Sequence, residues 1–438
     1  METKKMMTDN LTIFPVLLAG GSGTRLWPVS RDQAPKQLAE IGGERSFLQE
    51  TIQRLHPVLC LDNVRVVCGK SHCDESSEHL AAIGLATEKA VFGEPIGRNT
   101  APAVLLAVLK ILDQASIPDA LFFILPADHV IGDVPRFHER IHKAIHLAQK
   151  GYLVTFGIQP DYPETGYGYI EARQAVSGGG FAIDRFVEKP DIETARAYIE
   201  SGGFFWNSGM FVFMASAILN EFKRFEPDML ARMTAIVAKD GPIALAAYQD
   251  LPNISFDVAI MEKTSKGVVL PSEFGWSDIG TWSSLYDYMP KNDDGNVIAG
   301  DVIPHNIKNS LIIAKSRLVA ANDMSNATII ETPDAVFVSN LKTSRNVTDI
   351  VSLLKRHKRR EHQVHLLETH AWGSIQYLEK NDRLRVAKLA VKPNAAYGKI
   401  PHRPGRWHIR LLSGAARISH ARKQHVMQDR TSLSLDVK

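Results

Sequence analysis

Cysteine is scarce. The 438-residue chain has three, Cys60, Cys68 and Cys73, with no CxxC pair and no zinc-ligand spacing. That excludes a disulfide framework and points to free thiols in a reducing compartment, hence to a cytoplasmic protein. Long apolar runs are lacking too. The polar start, Met1 to Asn10, leads into Leu11 to Ala19, which is too short to span a bilayer and gives way at once to Gly20 and Gly21. Neither a signal segment nor a membrane anchor is expected. An excess of one charge is also missing: Lys plus Arg number 51 against 48 Asp plus Glu. This balance argues against nucleic acid as a partner and makes any anion site local. Apolar residues are plentiful, at 45% against 23% charged, enough for one large domain with one or two smaller modules.

Ile13 to Ala19, Val64 to Cys68, Ala120 to Leu125 and Tyr152 to Ile158 are short apolar runs that read as buried parallel strands. Between them, Thr100 to Ala115 and Arg136 to Lys150 have helical spacing. Strand and helix in alternation predict an α/β fold whose ligands sit at the carboxyl ends of the strands. Further on, Ile192 to Ser201 reads as a helix capped by Asp191, and Ala215 to Ala238 as helix interrupted at Glu226-Pro227. From Asn296 to Asn340 short β-branched runs such as Ser310 to Ala314 and Ala327 to Glu331 alternate with Asn, Asp and Gly, which predicts a β-rich appendage. Asn346 to Leu354 looks helical and runs into the basic stretch Lys355 to Arg360, a linker read as a solvated helix end. The residues from Ala371 onward look β-rich again.

The strongest local signal is Leu18-Ala19-Gly20-Gly21-Ser22-Gly23-Thr24-Arg25-Leu26-Trp27-Pro28. Glycines after a buried strand let backbone N–H groups approach a phosphate, so Gly20, Gly21, Gly23 and Thr24 are candidate binders. The spacing is neither a P-loop nor a dinucleotide fingerprint, because Leu26 stands where a third glycine should be. Arg25, Arg31 and Lys36 follow within reach of the loop. Arg25 and Lys36 are the candidates to stabilise a phosphoryl group under attack. Leu125-Pro126-Ala127-Asp128-His129 places a carboxylate directly after a strand, where it is either a helix cap or a metal ligand. Asp278, in Gly275-Trp276-Ser277-Asp278-Ile279-Gly280, supplies a second carboxylate. The pair meets the usual requirement of magnesium, Mg2+. Three segments suit a sugar phosphate: Glu164 to Tyr169 with Tyr167 and Gly168, Phe186 to Pro190 with Glu188 and Lys189, and Trp206 to Met210 with Asn207.

These motifs resemble the mannose-1-phosphate guanylyltransferases of the long type that ends in a mannose-6-phosphate isomerase domain. The resemblance rests on eight ordered motifs: LAGGSGTRLWPVSR (18 to 31) with PKQ (35 to 37), EPIGRNTAPA (94 to 103), LPADH (125 to 129), PETGYGYI (163 to 170), FVEKP (186 to 190), WNSGMF (206 to 211), FDVAIMEK (256 to 263) and GWSDIGTW (275 to 282). It implies a Rossmann-like nucleotidyltransferase domain over 11–290 and a short left-handed β-helix over 291–345. A helical basic linker would follow at 346–370 and a truncated cupin-like segment at 371–438. It also makes Glu94, Arg98 and Asn99 nucleotide-site candidates and places mannose 1-phosphate among the three sugar-type segments.

The implied reaction is transfer of GMP from GTP to mannose 1-phosphate, with the sugar phosphate attacking the α-phosphorus in line and pyrophosphate leaving. No general base is needed, because the attacking oxygen is already ionised. The exposed β appendage suits pairing of two copies into a homodimer. The carboxyl end departs from the family. Its isomerase segment, QxHxHRxEHW, aligns so that Ile400 replaces the Gln, Pro404 the second His and Trp407 the Glu, leaving His402 and His408. The chain also stops before such a barrel closes, so isomerase activity is expected to be lost. A silent nucleotide-sugar sensor and a bifunctional enzyme with residual isomerase activity are the competing readings.

Overall fold

The four apolar runs form strands for a reason visible in their alternation. In a computed structural model, which describes residues 11–438 apart from 22, 240, 371, 381–382, 398–404, 421–422 and 438, the first strands are β1 (Ile13–Ala19), β2 (Arg65–Gly69), β3 (Val91–Glu94) and β4 (Leu121–Pro126). Along β4, Phe122 and Ile124 point into one apolar cluster, whereas Leu121, Phe123 and Leu125 point into another on the opposite face. Both faces are therefore buried, which is why the run is continuously apolar.

Helices cover the two faces. α1 (Phe47–Gln53) and α2 (Cys73–Ala82) precede α3 (Thr100–Ala115), which is buried along most of its length in the first cluster. α4 (Val134–Gln149) presents Phe137, Ile141, Ala144, Ile145 and Ala148 to the second. Burying each large side chain stabilises the layer by about 1.5–3 kcal/mol. Asp133 caps α4, accepting from Arg136 N at 3.0 Å.

The sheet continues through β5 (Val130–Ile131, paired outside it), β6 (Leu153–Ile158), β7 (Gly168–Val176), β8 (Gly180–Glu188), β9 (Phe204–Met214) and β10 (Gly267–Ser272). Its order is β3-β2-β1-β4-β9-β6-β10-β8-β7. β1 is parallel to β2 and β4, and β6 to β10, but β9 runs antiparallel to β4, β6 and β7. The sheet is thus mixed rather than wholly parallel. β9 carries the Trp-Asn-Ser-Gly segment inside a strand, with Gly209 at φ +70° where pairing to β6 shifts register.

After β11 (Trp276–Ser277), the appendage contains β12 (Val297–Ala299), β13 (Val302–Lys308), β14 (Leu311–Ala314), β15 (Val319–Ser325), β16 (Ala327–Thr332) and β17 (Ala335–Asn340). β12, β14 and β16 stack in parallel as one sheet, β13 and β15 as another, so consecutive strands alternate between two faces of a coil. Gly300, at φ +87°, turns one corner; a Cβ there would lie 1.9 Å from the Ala314 carbonyl oxygen. The remaining described strands form a three-stranded antiparallel sheet at 367–391 and two antiparallel pairs, 405–410 with 432–437 and, between them in the chain, 416–420 with 423–427. Ile400, His402 and Pro404 lie outside the described residues. His408 does not, and its Nδ1 lies 2.9 Å from Ser434 Oγ.

Candidate active site

The loop after β1 is shaped by a close approach. Gly23 has φ +55°, and a Cβ there would come 2.8 Å from Lys36 Cβ and 3.0 Å from Lys36 N. Glycine is required by both backbone angle and space. Ser30 Oγ donates to the Gly23 carbonyl at 2.6 Å, and Gln37 Nε2 donates to the Ala19 carbonyl at 2.6 Å, tying the Pro-Lys-Gln segment to the end of β1. Lys36 is held between these anchors, 4% exposed.

Lys36 joins the two aspartates. Its Nζ lies 3.1 Å from Asp128 Oδ2 and donates to the backbone carbonyl of Asp278. Burial opposes ionisation of Asp128, but Lys36 and His129 outweigh it and hold the carboxyl below its ordinary range. β11 pairs with β5, which locks the two aspartate loops side by side, and Trp276 Nε1 donates to His129 Nδ1 at 3.2 Å. Because α4 is capped by Asp133, the helix-cap alternative for Asp128 falls away. Asp278 Oδ1 accepts from Tyr167 Oη and Gly280 N, both at 2.9 Å. A Cβ on Gly280 would meet Asp278 Oδ2 at 2.9 Å, so this glycine leaves room for the carboxylate. The Asp128 carboxylate at Lys36 and the Asp278 carboxylate on the paired loop are the hard oxygen donors that a divalent ion takes alongside phosphate and water.

The sugar-type segments converge next to this centre. Tyr167 packs edge-on against Trp206 and Trp276, with ring centroids 5.3 and 5.2 Å apart. Gly168 is bounded by Glu188 and Asn207: a Cβ would lie 2.8 Å from Glu188 Oε2. Glu188 pairs with Lys189 at 2.5 Å. Asn207 Oδ1 accepts from Thr155 Oγ1 at 3.2 Å, and its Nδ2 donates to Asp257 at 2.8 Å. Asp257 was not singled out in the sequence, although it lies in the quoted Phe-Asp-Val-Ala segment. Burial, then the neighbouring Glu188, push its carboxyl up to about 6.

A second hollow, of about 610 Å3, opens at the carboxyl ends of β1, β2 and β3; Gly20, Gly21, Lys70, His72 and Glu94 line it. Glu94 is 5% exposed and accepts from Tyr248 Oη at 2.6 Å. Burial drives its carboxyl up to about 7 against the opposing effect of that hydrogen bond. Asn99 caps α3 in a strained conformation, φ 65° and ψ −171°, and Arg98 donates to the Gln249 carbonyl. Lys70 and His72 have no motif around them that sequence reasoning would single out. Arg25 and Thr24 sit in the turn after Gly23, with Arg25 exposed and no ion pair found for it among the described residues.

Residues 14–295 match the family described as Nucleotidyl transferase. The chain belongs to the nucleotidyl transferase family. A mannose-1-phosphate guanylyltransferase of Klebsiella pneumoniae is 38% identical over 434 residues, 97% of this nucleotidyl transferase and 91% of the relative. One from Escherichia coli K12 is 40% identical over 418 residues, covering 93% and 87%. The alginate biosynthesis protein AlgA of Pseudomonas syringae pv. tomato is 38% identical over 415 residues, 93% of this chain and 85% of that one. Among solved structures, a Thermus thermophilus protein named mannose-1-phosphate geranyltransferase superposes with TM-score 0.70 at 28% identity, over 79% of this chain and all of that one. A Helicobacter pylori structure named mannose-6-phosphate isomerase gives 0.52 at 30% identity, over 61% of this chain and all of its own. Residues 346–438 are about a fifth of the sequence, so that second match extends well beyond the tail.

One basic residue expected within reach of the nucleotidyl transferase's glycine loop belongs elsewhere. Arg31 is fully buried and points away from the loop. Its Nη1 and Nη2 contact Asp334 at 3.0 and 2.7 Å, Nη1 also donates to the Val364 carbonyl at 3.0 Å, and Nε donates to Pro28 O at 2.8 Å. It fastens the loop to the appendage and to the segment after the basic run. Trp27 Nε1 donates to Glu361 O, Asp32 N to His362 O and Gln33 N to Gln363 O. The helix Val347–Arg356 buries Val347 and Val351 in the same apolar cluster as Leu26 and Trp27, while Lys355 to Arg360 stay exposed. No helix among the described residues is long and apolar enough to cross a membrane.

Proposed function

We propose that the chain transfers GMP from GTP to α-D-mannose 1-phosphate, giving GDP-mannose and pyrophosphate. The observation that carries the reading is Lys36, drawn by one ammonium onto Asp128 and the Asp278 carbonyl beside the glycine loop. The guanylyltransferase relatives, aligned along almost the whole chain, supply the base and sugar. On this reading Gly20, Gly21, Gly23 and Thr24 offer backbone N–H groups to the triphosphate, and Glu94, Arg98 and Asn99 lie on the nucleotide side. Tyr167, Gly168, Glu188, Lys189 and Asn207 surround the sugar phosphate, with Asp257 orienting Asn207.

The sugar's phosphate oxygen attacks the α-phosphorus in line, and pyrophosphate leaves from the opposite side. Lys36 and Arg25 reduce the repulsion between the two anions and stabilise charge on the leaving group. Asp128 and Asp278 would hold Mg2+, which when bound supplies further charge neutralisation at the phosphates. The finer assignments go with this reading: the appendage as a short left-handed β-helix, suited by its alternating parallel strands, the tail as a cupin-like segment without isomerase activity, self-association into a dimer, and work in the cytoplasm.

A pyrophosphate-release panel crossing each nucleoside triphosphate with several sugar 1-phosphates tests the proposal. GTP with mannose 1-phosphate should be the fastest pair, and Asp278→Ala should abolish turnover with the fold retained. Binding of GDP-mannose without any turnover would refute the proposal in favour of a silent sensor.

A further inference from the structure

Two of the three cysteines are placed for chemistry that the transfer reaction does not use. Cys68 is buried in β2 and Cys73, half-buried, opens α2. Their sulfurs are 3.8 Å apart. The turn between them, Gly69-Lys70-Ser71-His72, lines the hollow shared with Gly20, Gly21 and Glu94 along its whole length. Cys73 is closely packed from the far side, since a Cβ on Gly93 would come 2.5 Å from its Sγ.

The two thiols differ in character. A hydrogen bond from Cys68, helped by Lys70 and Lys110 against the effect of burial, lowers the Cys73 thiol, whereas the same contact and burial push Cys68 up. The less buried Cys73 is thus the better nucleophile and the buried Cys68 is poised to resolve it. Cys60 is exposed and makes a natural control.

We propose that Cys68 and Cys73 form a reversible oxidation site, which a peroxide converts to a disulfide, distorting the turn that lines the nucleotide side. The Cys73 thiolate attacks one oxygen of hydrogen peroxide. The O–O bond breaks, and hydroxide leaves to become water with the proton Cys73 gave up. The Cys68 sulfur then attacks the sulfenic sulfur, the S–O bond breaks, and the departing hydroxide takes the Cys68 proton. Two thiols are oxidised by two electrons and the peroxide is reduced to two waters. Closing the sulfurs to about 2.05 Å draws the start of α2 toward β2 and shifts Lys70 to His72. A thiol pair of this kind in a reducing compartment serves sensing rather than structure. The effect on substrate rests on the transfer reaction proposed above.

The test uses the full chain with Cys60→Ser, treated with hydrogen peroxide and freed of excess reagent. Peptide mapping should show a Cys68–Cys73 cross-link and intact mass the loss of two hydrogens. The KM for GTP should rise about fivefold, what loss of one ordinary hydrogen bond to the nucleotide amounts to. Dithiothreitol should restore it, and the further change Cys73→Ser, checked by its melting temperature, should abolish both effects. Sulfinic acid at Cys73 without cross-link would overturn the proposal, as would a cross-linked chain with unchanged KM. Failure of the reduced chain to release pyrophosphate would instead sink the transfer reaction, and the peptide map would still decide the thiol chemistry.

Discussion

Gly23→Ala tests whether the loop's geometry positions Lys36. Two costs follow from the structure. The left-handed backbone at φ +55° costs an alanine about 1–2 kcal/mol. The new methyl also meets Lys36 Cβ at 2.8 Å and Lys36 N at 3.0 Å, where carbon atoms ordinarily approach to about 3.5–4.0 Å. Relief therefore demands a shift of roughly 1 Å in the Lys36 backbone, and Lys36 Nζ then loses its fit to Asp128 and to the Asp278 carbonyl. A misplacement of that size reduces kcat by about 10²-fold. The substitution should also lower the melting temperature by several degrees. Steady-state pyrophosphate release and thermal unfolding measure the two effects. Gly43→Ala is the control, because its Cβ would meet nothing within 4 Å and its φ is not positive. A Gly23→Ala enzyme that melts lower yet keeps wild-type kcat would refute positioning of Lys36 by this loop.

Lys36→Met should lower kcat by about 10²–10³-fold and, by removing the cation that keeps Asp128 ionised, move the acidic limb of the pH–rate profile upward. Glu94→Gln bears on pH: a carboxyl raised to about 7 in the fold contributes stability below its unfolded pKa of about 4.3 that is lost as pH rises through 7. The variant should therefore gain at most about 4 kcal/mol over the parent at pH 8 and nothing at pH 4, measured by urea unfolding; equal gains at both pH values would contradict the assignment. Arg31→Met strands the Asp334 carboxylate, which is 7% exposed. It should cost about 3–5 kcal/mol in denaturant unfolding, and Asp334→Leu in the same chain should recover much of that loss.

The elements most legible in sequence were those with their own punctuation. The helix Thr100–Ala115 and the break between Phe225 and Pro227 match their expected positions because apolar periodicity and proline act locally. The strand Phe204–Met214 was hidden by its Asn-Ser-Gly segment, which has turn composition but is held extended by three neighbouring strands. The four runs read as parallel strands do share one direction, whereas this antiparallel strand between two of them had no signal, because strand direction depends on partners distant in sequence. At the site, residue types were legible and contacts were not. Asp128 and Asp278 were paired by chemistry, but nothing local shows that Lys36 joins them. Arg31 was misplaced because nearness in sequence does not give a side chain its direction, and its carboxylate partner is 303 residues away. Asp257 escaped because an acid in an apolar segment reads as a turn or cap until Asn207 is seen beside it.

The fastening of Arg31 to Asp334 and Val364 also sets an order of events during synthesis. The glycine loop leaves the ribosome well before its partners: its buried arginine finds its carboxylate 303 residues later and its carbonyl 333 residues later. At about 5–20 residues per second this is a delay of roughly fifteen seconds to a minute. During that time the sheet can form while the loop lacks its final anchors. The glycine-loop end of this nucleotidyl transferase is therefore made well before it is completed, and a chain broken off before residue 334 would carry every candidate motif without the clasp that steadies the first of them.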